Sequence, residues 1–236
     1  MLKTLNMKKI YLVALFLVSI LCSYAQRINK VTISNNGTAT AIGFLLDQNV
    51  IINVKQDGTM GEWGVDKYVD RGAAQSSQRP LESFDGKVDY YTQNEDEAFR
   101  GKLKYIGRTL ITYYTSTDKA YLVGKIKSVG PLKFDYFSNY DDAMLNGKMK
   151  TAGPMNLSYY TSFENESIRG KVKSAGTVQL TYFGSLDDKS ISGKVKSVNG
   201  NTFIYATTQE QDYPKGSLKY GMQIQVVNGI TYTVRN

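Results

Sequence analysis

From Gly101 to about Thr207 the chain repeats itself every 23 residues without a slip, and self-similarity at that period commits a sequence to stacked repeats. Gly101, Gly124, Gly147, Gly170 and Gly193 each open a unit of the form G-K-φ-K, with φ filled by Leu103, Ile126, Met149, Val172 and Val195. A tyrosine column follows at a fixed distance: Tyr113, Tyr136, Tyr159, Tyr182 and Tyr205. Further on stands an acidic column of Asp118, Asp141, Glu164, Asp187 and Glu210.

Each unit resolves into two strands. The turn between them reads Gly107-Arg108, Gly130-Pro131, Gly153-Pro154, Gly176-Thr177 and Asn199-Gly200. Gly in the first central position selects a type II′ turn and Asn-Gly a type I′ turn, the two that match hairpin twist. With ideal pairing around Gly130-Pro131, one face holds Val129 opposite Leu132, Lys127 opposite Phe134 and Lys125 opposite Tyr136. The other holds Ser128 with Lys133, Ile126 with Asp135 and Gly124 with Phe137, an aromatic ring laid across a strand glycine. In that register neither face is wholly apolar, so lysine stems are expected to lie over the rings with wet ammonium groups. The expected fold is all-β: an elongated antiparallel meander of stacked hairpins, a twisted open sheet or partly curled, with much of its surface solvated. Each unit advances it by roughly 9.6 Å, two strand spacings.

The period and hairpin form over residues 86–210 resemble MORN repeats, which are also 23-residue hairpin units stacked into a long sheet. The units lack the tryptophan of the MORN motif; the fragment Gly61-Glu62-Trp63 lies outside the array. The resemblance implies an elongated sheet and assigns no residue a function.

Outside the array the rhythm changes. Residues 1–25 carry Lys3, Lys8 and Lys9, then an apolar run from Ile10 to Leu21 and a small-x-small site at Ser23-Tyr24-Ala25. This reads as a secretory signal cut after Ala25, too short to span a bilayer. A lipoprotein signal at Cys22 is the rival, disfavoured by Leu21 in front of it. Residues 26–64 read as an N-terminal β cap of four strands, with Trp63 packed in it. Residues 65–84 read as an irregular connecting loop, 85–210 as the array and 211–236 as a C-terminal β cap. No transmembrane span is expected after the signal.

Removal of residues 1–25 takes the formal charge from +8 to +5 and removes the lone cysteine from a chain that has no histidine. Disulfides, thiol chemistry, sulfur or imidazole zinc sites and histidine acid–base catalysis then lack their residues. No metal or other cofactor is expected. The loop acids invite a calcium reading, but no loop has the spacing of a known calcium site, and turn residues explain them. A glycosidase needs one asymmetric pair of carboxylates, and repetition singles none out.

The two lysine columns carry the functional expectation. Lys102, Lys125, Lys148, Lys171 and Lys194 form the first, and Lys104, Lys127, Lys150, Lys173 and Lys196 the second. The candidate ligand-binding residues are Lys102, Lys125, Lys127, Lys148, Lys150, Lys171, Lys173 and Lys194 with Tyr113, Tyr136, Tyr159 and Tyr182. Such a stripe suits an acidic glycan or another envelope component, with an ammonium for each carboxylate and a ring for each sugar. Lysines that only keep an open sheet soluble are the competing reading. Nucleic acid is not an expected partner, since arginine is scarce in the units. The expectation is therefore an exported, non-enzymatic binding or scaffold protein of the periplasm, outer surface or medium. A structural or adhesive protein without a small ligand is the alternative, and an enzyme using residues 61–84 the third reading.

Overall fold

The computed structural model describes residues 26–68 and 79–235. The expected signal segment, residues 1–25, lies outside them, as does the 69–78 part of the expected loop. The chain forms the strands β1 (Arg27–Ser34), β2 (Ala39–Leu45), β3 (Val50–Val54) and β4 (Met60–Val65), then β5 (Val88–Tyr90). Five repeat units follow: β6 (Leu103–Ile106) with β7 (Thr109–Tyr113), β8 (Ile126–Val129) with β9 (Leu132–Tyr136), and β10 (Met149–Ala152) with β11 (Met155–Tyr159). The last two are β12 (Val172–Ala175) with β13 (Val178–Tyr182), and β14 (Val195–Val198) with β15 (Asn201–Thr202) and its continuation β16 (Ile204–Tyr205). The chain closes with β17 (Leu218–Tyr220), β18 (Ile224–Val227) and β19 (Ile230–Arg235). The strands from β5 to β15 make an 11-stranded antiparallel meander in chain order, and β16 pairs with β17. The sheet is open, not closed into a barrel.

The turns have the expected chemistry. Gly107, Gly130, Gly153 and Gly176 have φ between +54° and +60° while the residue after each does not turn positive; Asn199 and Gly200 are both positive. Pairing next to the turn is also as read: Val129 opposite Leu132 and Ser128 opposite Lys133.

One residue further the structure departs from ideal pairing. Thr112 faces Ser128 but Tyr113 faces Ile126, so Lys127 is skipped. The same bulge passes over Lys104, Lys150, Lys173 and Lys196. A bulge sets two residues against one and shifts the side-chain alternation by one. Ile126 therefore joins Val129, Phe134 and Tyr136 on a single buried face, and Lys127 turns outward. That corrects the expected mixed faces: the array has one clean apolar side. The glycine expectation changes too. Gly147 N–H donates to the preceding unit's Phe137 O at 2.8 Å, and Phe137 N–H donates to the neighbouring Lys148 O at 2.8 Å. Gly147 sits in a turn at φ +75°, not inside a strand.

The apolar side is covered by a second sheet of six strands, ordered β18-β19-β1-β2-β3-β4, with β19 running parallel to β1. Alternation along β1 to β3 sends Val31, Ile33, Ile42, Phe44, Ile52 and Val54 inward. They join the array's face in one continuous core, where Phe44 meets Phe134 edge-on with ring centroids 5.1 Å apart. Trp63 packs at its margin. The segments expected as caps at the two ends of the array thus merge into a layer over its flank. The physical reason is the bulged face, which is too apolar to be left in water.

Candidate functional site

The bulge separates the two lysine columns. In the first, the lysine ammonium reaches the carbonyl of the next unit's opening glycine: Lys102 to Gly124 at 2.6 Å, Lys125 to Gly147 at 2.9 Å, Lys148 to Gly170 at 2.6 Å and Lys171 to Gly193 at 2.8 Å. Each also lies over its own unit's tyrosine, with Lys125 5.3 Å from the Tyr136 centroid and Lys194 5.4 Å from that of Tyr205. A side chain at Gly170 would put its Cβ 2.8 Å from the Lys148 ammonium, so the opening glycine provides room as well as its positive φ. Burial holds the pKa values of Lys102, Lys125, Lys148 and Lys171 below the usual lysine range.

The six-stranded sheet plugs into this column. Its turn at residues 56–58 accepts Met149 N–H on Gln56 O at 2.8 Å and Ile126 N–H on Gly58 O at 2.9 Å. The turn at residues 35–37 does the same one step along, taking Val195 N–H on Asn35 O at 2.8 Å and Val172 N–H on Gly37 O at 3.0 Å. Lys125 and Lys171 add ammonium donors to Asp57 O and Asn36 O. A groove of about 580 Å³ remains beside this junction, lined by Lys55, Asp57, Lys125, Asn146 and Lys148 among others.

The candidate tyrosines lie in the core. Tyr113, Tyr136, Tyr159 and Tyr182 are buried, and their hydroxyls donate to Leu103 O, Ile126 O, Met149 O and Val172 O at 2.6–3.0 Å. They present no ring to a ligand. Four of the candidate lysines, Lys102, Lys125, Lys148 and Lys171, likewise spend their ammonium groups inside the structure.

What faces water is the second column. Lys127, Lys150 and Lys173, with Lys104 and Lys196, stand on the outer side, each over an aromatic ring of the preceding unit. The rings of Tyr114, Phe137, Tyr160 and Phe183 are half-buried and stack edge-on against the inner tyrosines. Lys104 is paired with Glu95 at 2.7 Å and Lys150 with Asp141 at 3.8 Å. Among the described residues no carboxylate lies within 4.0 Å of Lys127, Lys173 or Lys196. Beside the column runs a row of hydroxyl pairs, Thr112–Ser128, Ser158–Ser174 and Thr181–Ser197, each at 2.6 Å. Sequence reading could have found these pairs, since the residues recur at fixed places on facing strands.

The loop acids serve the turns. Asp118, Asp141 and Asp187 accept the N–H groups of Thr115, Ser138 and Gly184 at 2.6–2.8 Å. Asp96, Asp142 and Asp188 tie successive loops together by accepting the N–H groups of Ser116, Ser162 and Thr208. Hydrogen bonds of this kind hold the Asp96, Asp118, Asp141, Asp142 and Asp188 carboxyls below the usual range, with the bond from Ala98 N–H the largest cause at Asp96 and that from the Ser190 hydroxyl the largest at Asp188. At the tips of three successive loops Tyr140, Phe163 and Leu186 are 93%, 95% and 100% exposed.

A different constellation lies on the outer face of the six-stranded sheet. Lys30, Asn53, Glu62, Asp66, Arg79 and Arg235 are among the residues lining a cavity of about 230 Å³ there. Burial, with Arg235 second, lowers the Lys30 pKa to about 8. Its members come from both ends of the chain, so no local motif marks it. Comparison with known proteins gives no match, whether to a family model, a curated protein or a solved structure.

Proposed function

We propose that the protein is an exported, non-enzymatic β-repeat binding module that holds an extended acidic polymer along its outer lysine column. The ligand is of the acidic polysaccharide or cell-envelope class. The observation that carries this reading is the row Lys104, Lys127, Lys150, Lys173 and Lys196 on the solvent face, one ammonium per unit. Its pitch is roughly 9.6 Å, two strand spacings. Lys127, Lys173 and Lys196 have charge to offer, and the neighbouring hydroxyl pairs supply donors and acceptors for sugar hydroxyls.

Binding to acidic and neutral polysaccharides at low and high salt tests it. The triple variant Lys127→Gln, Lys173→Gln, Lys196→Gln removes three contacts of about 0.2–1 kcal/mol each, a roughly 3- to 150-fold loss of affinity. Lys125→Gln with Lys148→Gln and Lys171→Gln is expected instead to lower the melting temperature and leave the affinity of the folded protein close to unchanged. Salt-insensitive binding, or equal binding to neutral chains, refutes the reading, because exposed charges more than about 3 Å apart are screened at 1 M salt.

The adhesive alternative rests on the exposed row Tyr140, Phe163 and Leu186, which repeats at one position of consecutive loops. It predicts association that persists at high salt and is lost when these three are changed to Ser.

A further inference from the structure

The array ends in two half-units. At its start β5 stands where the second strand of a hairpin belongs. Its pairs Val88–Ile106, Asp89–Tyr105 and Tyr90–Leu103 reproduce, one period earlier, Ile111–Val129, Thr112–Ser128 and Tyr113–Ile126. The strand that would open this unit is absent from its side, for Glu82 instead bridges Val65 of the other sheet. At its end β17 stands where a first strand belongs: Ile204–Tyr220 and Tyr205–Leu218 reproduce Thr181–Ser197 and Tyr182–Val195. The strand that would complete this unit is also absent, since the chain leaves for β18. Among the described residues neither outer edge has a strand partner.

Exposure shows what is missing. Tyr90 is 53% exposed whereas its equivalent Tyr113 is 5% exposed. Leu218 is half-buried whereas the other φ residues are buried. The backbone of β5 is also set for a partner. Tyr91 N–H donates to Lys102 O and Lys87 O accepts Gly107 N–H, so by alternation the amides of Val88 and Tyr90 point away from β6.

We propose that β17 of one copy pairs with β5 of a second copy, completing a 23-residue unit between two chains and joining them head to tail. The missing first strand of one end is what the other end exposes, and the register is already specified. Transfer of the pairs Ser128–Lys133 and Val129–Leu132 by whole periods places Tyr220 opposite Lys87 and Gly221 opposite Gly86. The two edges differ, so the contact is heterologous and does not close on itself; it yields open chains of copies. Three-residue strands bury less than the roughly 1,200–2,000 Å² of a stable interface, so each joint is weak and growth depends on concentration. The joint also continues the outer lysine column, since Lys219 of one copy takes the place before Lys104 of the next. The inference goes beyond the polymer-binding reading and does not depend on it.

Cysteine cross-linking tests it, in a Cys22→Ser background. Next to a hairpin turn the Cα atoms of a pair are about 4.5–5.5 Å apart, within disulfide reach. A mixture of the Lys87→Cys and Tyr220→Cys proteins is expected to give a disulfide dimer under mild oxidation, faster than either alone. The double variant is expected to give a ladder of dimers, trimers and longer species. Adding Val88→Pro to the Lys87→Cys protein removes an outward amide without touching a β5–β6 bond, and is expected to abolish the dimer while the thermal melt is retained. Sedimentation of the unsubstituted protein should show its average mass rising with concentration. Cross-linking no faster in the mixture than in the single variants overturns the proposal. So does a dimer unaffected by Val88→Pro, or a monomer at every concentration.

Discussion

Tyr136 and Tyr205 occupy equivalent places in their units, yet their hydroxyls have different fates. Tyr136 donates to Ile126 O at 2.7 Å, whereas the buried hydroxyl of Tyr205 has no partner among the described residues. Tyr136→Phe is therefore expected to cost about 1–2 kcal/mol, the value of a buried hydrogen bond whose acceptor is left behind. Tyr205→Phe removes only an unsatisfied group and should be neutral or stabilising, and denaturant unfolding of the two variants measures the difference. At this scale the sequence was legible in position but not in role. Two lysine columns alternate with the same residues between them, so Lys125 and Lys127 look alike until the backbone assigns one to a carbonyl and the other to solvent.

The hairpin is the element on which that assignment depends. Its turns were legible because Gly-Pro and Asn-Gly leave few conformations open. Its bulge was not, because the extra residue is an ordinary lysine with no special φ. A trace is nonetheless present: Leu103 and Ile106, Ile126 and Val129, and Val195 and Val198 are apolar pairs three apart, an interval that flat alternation cannot bury on one face. The same element explains why the second sheet docks where it does, since the turns at 35–37 and 56–58 supply carbonyls to the φ amides that the bulges leave outside the ladder. Gly58 in one turn and Gly37 in the other sit hard against core tyrosines, Tyr136 and Tyr182. A Cβ at Gly58 would lie 2.5 Å from the Tyr136 hydroxyl at a φ of +83°. Gly58→Ala is expected to cost about 2–3 kcal/mol, more than the roughly 1–2 kcal/mol of the backbone alone. Gly229→Ala, at φ +75° with nothing within 4 Å, is the matched control for the backbone term. Equal losses in the two unfolding curves would remove the docking role of Gly58.

On the scale of the whole molecule the array was legible from its period, and the sandwich was not. Nothing local tells β1 to β4 that their partner is the flank of an array further down the chain, or that β19 will insert beside β1. That long-range burial places the tyrosine column between two sheets, and it gives the protein a definite response to alkali. Burial raises Tyr113, Tyr136, Tyr159 and Tyr182 well above the ordinary phenol value of 10.0. Below pH 10 these groups are protonated in both states and their contribution to stability is complete. Above it the unfolded chain ionises first, so stability falls with pH. Four such groups give a slope of about 5 kcal/mol per pH unit, against a total of about 5–15 kcal/mol for a typical domain. The buried lysines have the opposite sign. Lys30, at about 8 and facing Arg235, Asp66 and Glu62, burdens the fold while it is charged, and that burden lifts between pH 8 and 10.5. Lys102, Lys125, Lys148 and Lys171 add to the gain just below 10.5. Stability measured by denaturant titration is therefore expected to rise gently from pH 8 towards 10 and then collapse within one or two units. Tyrosinate absorbance of the core class should appear together with unfolding. Core tyrosines that ionise in the folded protein near pH 10 would mean that the two sheets do not seal the column between them.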